Sequence, residues 1–129
     1  MPSQQQHVAQ ARRNRAFADS LDREAFPEWV TVAWFYCALH LVDVLFADML
    51  PGRMGHPSNH EARWRAMSMS EDWKRRPALQ KHYRALEDVS QLARYECQPQ
   101  AAVFTQAGLE CVYHDHLLPL VDTLEKLLP

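Results

Sequence analysis

The chain has only three glycines in 129 residues. A β-sandwich or barrel of this length turns too often for so few, and no stretch alternates with period two long enough to make a strand. The fold class read from the sequence is therefore all-α. Cysteine is also sparse: Cys37, Cys97 and Cys111 are odd in number, widely spaced and without a CxxC pair. That excludes a disulfide framework and predicts reduced, buried thiols in a cytoplasmic protein. The start, Met1-Pro2-Ser3-Gln4-Gln5-Gln6, lacks the charged-then-apolar order of a signal peptide. No long uninterrupted apolar run exists either. Trp29 to Leu50 comes nearest, but Thr31, His40, Asp43 and Asp48 interrupt it. A buried helix is expected there rather than a membrane span.

A strong charge of one sign is absent too. The net charge is −2, so nothing draws the whole molecule to nucleic acid or an anionic membrane. Its distribution is uneven. Residues 53 to 84 carry eight Lys/Arg against three acids, and residues 95 to 129 carry one base against five acids. Most such basic runs are solvated helix faces, and contact with phosphates is the alternative.

What is present is an ordinary globular composition, 47% hydrophobic and 23% charged, in a length that fits one domain, 1–129. Val8, Ala11, Phe17, Ala18 and Leu21 recur at helical spacing and predict a first amphipathic helix over about 4–24. Pro27 breaks the pattern, and a second helix is expected over about 28–50, stopped by Pro51-Gly52. This helix is apolar almost all round. In so small a chain few neighbours can wrap it, which predicts a central position and self-association. After a loop over 51–58, Ser58 and Glu61 form a capping-box pattern for a short helix to about Met69. Ser70-Glu71-Asp72 predicts a further turn, and Pro77 fits the first position of a helix over about 77–97. The last helix spans about 100–128, with Pro119 expected to kink or split it.

The chemistry-bearing residues begin inside the second helix. Tyr36, His40 and Asp43 fall at i, i+4 and i+7 and so share one face. An imidazole beside a carboxylate one turn on suits acid–base work. A structural hydrogen-bond network satisfying buried polar groups is the competing reading. Among the seven histidines, His56 and His60 stand four apart but straddle Pro57, and His114 and His116 point apart on a helix. Neither pair makes a persuasive metal site, and no metal or other cofactor is expected. Arg53 to His60 and Arg76 to His82 nominally match an R-x4–6-H spacing, as chance pairs will in a chain with fourteen basic residues.

Phe35-Tyr36-Cys37-Ala38-Leu39-His40-Leu41-Val42 resembles the Y-Y-A-A-F-H-A-A stretch of the HEPN superfamily (higher eukaryotes and prokaryotes nucleotide-binding). His56-Pro57-Ser58-Asn59-His60 is similar to the short T-H-S-containing segment that follows it. Ser90-Gln91-Leu92-Ala93-Arg94-Tyr95 is similar to that group's R-x-x-A-D-Y segment. The likeness covers roughly residues 26 to 128, with 1–25 as an added N-terminal helix. It implies an up-and-down four- to five-helix bundle, usually a homodimer, acting near RNA or nucleotides. Such a module is an RNase toxin or the helical partner of a minimal nucleotidyltransferase. The departures are Ser90 in place of Arg, Arg94 in place of Asp, and no histidine in Tyr95-Glu96-Cys97-Gln98-Pro99-Gln100.

Three functions are therefore in play. The first is a non-catalytic HEPN-like module binding a nucleotide, RNA or partner protein at a dimer cleft. Tyr36, Asp43, His56, His60, Arg63 and Tyr95 are its candidate ligand-binding residues, with His40 and Arg94 beside them. The second is a metal-independent RNase in which His40 works with Arg63 or Arg94. The third is a structural scaffold or antitoxin subunit.

Overall fold

The computed structural model describes residues 2–49 and 59–128, without the side chains of residues 46–49 and 72. His56 and Ser58 lie outside the described residues, and so does the part of the basic stretch from Arg53 to Ser58. Among the described residues all regular structure is helical and no strand occurs. The described residues form an all-helical domain of five helices, the last built from consecutive segments, with one additional single turn.

α1 (Gln4–Ser20) starts on a reciprocal cap. The Ser3 hydroxyl accepts from the Gln6 backbone N–H at 3.1 Å, and the Gln6 side chain accepts from the Ser3 N–H at 2.7 Å. Two otherwise orphaned amides are satisfied at once. Six residues then turn the chain into α2 (Pro27–Met49). Pro27 is the first residue of this helix rather than its boundary, because the first helical position needs no N–H. α3 (His60–Met69) is capped by Asn59, whose side chain accepts from the Ala62 N–H at 2.7 Å. The single turn α4 (Glu71–Lys74) starts on Ser70. α5 (Pro77–Tyr95) follows, with its proline at the expected first position.

The C-terminal part departs from the expected split. A 3-10 turn (Ala102–Phe104) leads into α6 (Gln106–Val112), a π-helical turn (Tyr113–Leu117) and α7 (Leu118–Leu127), which run on without a break. Pro119 has no N–H to give to a carbonyl one turn back. The helix absorbs this by widening just before the proline, where the Leu118 N–H reaches the Tyr113 carbonyl five residues back.

α2 is the centre of the core. α1 packs along it, and α5 and α7 cover other sides. Val30, Trp34, Phe35, Ala38, Val42 and Leu45 are fully or almost fully buried, against Tyr83, Leu86, Leu109, Leu117, Leu120 and Leu124 from the other helices. By length and composition Pro27–Leu45 would also suit a membrane, but most of it is buried within the fold. The chain's own helices thus wrap more of α2 than its composition predicts. What they leave open is a narrow stripe holding Trp29, Val32 and Tyr36. The thiols need a similar correction. Cys37 is buried, and burial pushes its thiol up to about 11, whereas Cys97 and Cys111 are exposed.

Candidate functional site

Tyr36, His40 and Asp43, aligned on one face of α2, each make a hydrogen bond to a different helix. The Tyr36 hydroxyl accepts from Nη1 of Arg94 on α5 at 2.9 Å. His40 meets His7 of α1 with their Nδ1 atoms 3.0 Å apart. Asp43 takes two hydrogen bonds from Arg63 of α3, at 2.7 and 3.0 Å, in a pair shut away from solvent. A line of polar side chains inside an apolar helix is thereby resolved into three inter-helix ties.

Between α2, α3 and α5 runs a polar seam. Tyr83, Glu87, Ser90 and Arg94 succeed one another at helical spacing along α5. Opposite them stand His60, Arg63 and Trp64 of α3, and Phe35 and Tyr36 of α2. Glu87 Oε1 accepts from Trp64 Nε1 at 2.8 Å, and its Oε2 lies 3.9 Å from His60 Nδ1. His60 stays below its ordinary pKa, first because it is desolvated, and further because Arg63 and Arg94 are near; Glu87 and Asp43 oppose the shift. Near pH 7 this ring is neutral.

The seam is not self-sufficient. Glu87 Oε2, Ser90 Oγ, His60 Nδ1 and Arg94 Nη2 are all buried and find no hydrogen-bond partner among the described residues. Groups in that position normally meet water or a ligand. Arg94 shows the arrangement best. Its Nε donates to the Ser90 carbonyl at 3.2 Å, and its guanidinium lies 5.6 Å from the Tyr36 ring centre and 5.0 Å from that of Tyr95. Tyr95 itself is 69% exposed, so one aromatic face is open beside a fixed cation. Arg84 stacks on Trp64 in the same way, at 4.3 Å.

Of the residues singled out from the sequence, Tyr36, Arg94 and Tyr95 come together, and His60 joins the same seam through Glu87. Asp43 and Arg63 are joined to each other, with Asp43 also close to His7 and His40. His40 borders open grooves rather than sealed core, one of them shared with Tyr36, Phe17 and Trp29. His56 lies outside the described residues. Sequence reasoning missed Glu87 and Ser90, whose signal was polarity on the buried side of α5. It also missed His7, whose partner His40 is 33 positions away. A second histidine pair, His82 with His116 (Nδ1 to Nδ1 3.1 Å), ties α5 to the π-helical turn and escaped for the same reason.

An immobilised guanidinium with one unpaired nitrogen, beside an open tyrosine ring, suits a planar, anionic ligand. Compared with protein-family models, with curated proteins and with solved structures, the chain matches none.

Proposed function

We propose that this protein is a non-catalytic, HEPN-like helical module that binds a nucleotide or a short single-stranded RNA segment beside Arg94. The observation that carries the reading is the setting of that guanidinium. It is oriented by Tyr36 and the Ser90 carbonyl, flanked by two tyrosine rings, and left with Nη2 unpaired. A base stacks on the open face of Tyr95, and a phosphate oxygen pairs with Arg94 when that side chain turns its buried Nη2 edge outward. Arg63 is less suited to that work, since its fork is already spent on Asp43.

The module works as a homodimer in this reading. Phe17 and Trp29 are half exposed and share a groove with Val32 and Tyr36. A second copy seated there covers the open stripe of α2 and brings the two Arg94 sites to the edges of one cleft.

Fluorescence anisotropy with labelled single-stranded RNA, competed by mononucleotides, tests the ligand. Saturable binding that weakens with added salt is expected, about tenfold or more weaker in Arg94→Ala and clearly weaker in Tyr95→Ala. Binding unchanged in both variants would sink the reading. Cleavage of the RNA in EDTA, lost in His40→Ala, would move the assignment to an RNase. A monomer by light scattering at high concentration would remove the cleft.

A further inference from the structure

We propose that His7, His40 and Asp43 bind a divalent transition-metal ion of the zinc class. The three residues come from the two most closely packed helices, α1 and α2, and their ligand atoms all lie within 4.8 Å of one another. The imidazoles present Nδ1 to Nδ1 at 3.0 Å, with ring planes inclined by 36°. Without a metal such a contact needs one ring protonated at Nδ1 and the other not. With zinc–nitrogen bonds of about 2.0–2.1 Å, two ligands on a tetrahedral ion stand about 3.3 Å apart, so the two imidazole nitrogens are within a few tenths of an ångström of that spacing.

The surroundings fit the role. His7 is 2% exposed and Asp43 1%, so neither moves far, while His40 is half-buried and borders a groove lined by Gln6, Gln10 and Arg13. That groove supplies an entry path and room for water at the remaining coordination position. Arg63 holds both oxygens of Asp43, and a carboxylate oxygen can accept a hydrogen bond and bind a metal at the same time. Arg63 thus acts as the outer partner that orients a carboxylate ligand. Two imidazoles with one carboxylate select zinc, cobalt, nickel or iron(II) over magnesium and calcium, which prefer all-oxygen sites. The site stands apart from Arg94 and does not depend on the RNA reading.

The test uses untagged full-length protein stripped with EDTA. Zinc chloride is titrated calorimetrically, cobalt(II) is followed by visible absorption, and the imidazole nitrogens are followed by long-range 1H–15N NMR. One zinc per chain is expected, together with intense cobalt bands of tetrahedral type and perturbation of two imidazoles, those of His7 and His40. His40→Gln and His7→Asn each weaken zinc binding about tenfold or more, and the His82→Gln/His116→Gln variant leaves it unchanged. Magnesium chloride gives no saturable binding. Because His7 is buried and its variant can fail to fold, the NMR readout on the unsubstituted protein decides on its own. The proposal is overturned if millimolar zinc gives no saturable heat, if the perturbed imidazoles are those of His82 and His116, or if folded His40→Gln binds zinc as the parent does.

Discussion

Arg63 grips both carboxylate oxygens of Asp43, with Nε 2.7 Å from Oδ1 and Nη2 3.0 Å from Oδ2, and the two side chains are only 6% and 1% exposed. The pair ties α3 to α2 across twenty residues of sequence. Removing one member strands the other charge in a low-dielectric setting. Asp43→Ala and Arg63→Ala should each destabilise the fold by about 3–5 kcal/mol in urea unfolding. The Asp43→Leu/Arg63→Met double variant should lose clearly less than either. A double variant as damaged as the sum of the singles would show that the pair does not act as a unit.

Three histidines should make stability fall as the solution is acidified. His60, His82 and His116 are all held below their ordinary pKa. Burial is the first cause in each, reinforced by Arg63 and Arg94 at His60, by His116 and Lys81 at His82, and by Lys81 at His116. A base whose folded pKa is lowered binds its proton more readily when unfolded. The neutral native form is therefore fully favoured above about pH 6.5, and the unfolded form gains ground as pH drops below that value. The melting temperature should decline from pH 7.5 to 5. The slope should flatten in His82→Gln/His116→Gln, and an unchanged slope would mean that this pair is not the sensor.

Gly108 sits in the first turn of α6, where the preceding 3-10 turn folds back on it. A Cβ at this position would collide with the carbonyl oxygens of Ala102 and Val103. Both are backbone atoms, so the turn itself has to shift. Gly108→Ala should cost about 1–3 kcal/mol despite alanine's better helix propensity. A gain in stability would disprove the close approach.

Cys97 follows the end of α5 with φ at 53°, a left-handed conformation that side chains resist. Cys97→Gly should therefore raise stability by about 1 kcal/mol. In the parent protein a thiol reagent at pH 8 should modify Cys97 and Cys111 quickly. Cys37, buried and with its thiol pushed up to about 11, should react only on unfolding. Three equally fast thiols would contradict the burial of α2.

Much of the helical order was legible in the sequence because its signals are local. The Pro77 start of α5 and the Ser70 turn depend on residues within one helical turn of each other. The cap of α3 is a near miss, since Asn59 does the work that the pattern assigned to Ser58. At the candidate site, Tyr36, His40 and Asp43 stood out because a polar residue in an apolar helix must find a partner. Which partner each finds is another matter: Arg94 lies 58 positions from Tyr36, and His7 lies 33 from His40.

By itself, then, the amino-acid sequence determined an all-helical chain, the central place of α2 and the residues on that helix that had to be satisfied. Those follow from periodicity, capping and the cost of burying an unpaired polar group. Only the tertiary structure decided that three different helices satisfy them, that Glu87 and Ser90 join Arg94 in a seam, and that Pro119 widens the last helix instead of breaking it. Such contacts join residues far apart in the chain, and no local pattern encodes which of several distant donors packing will bring within hydrogen-bond reach.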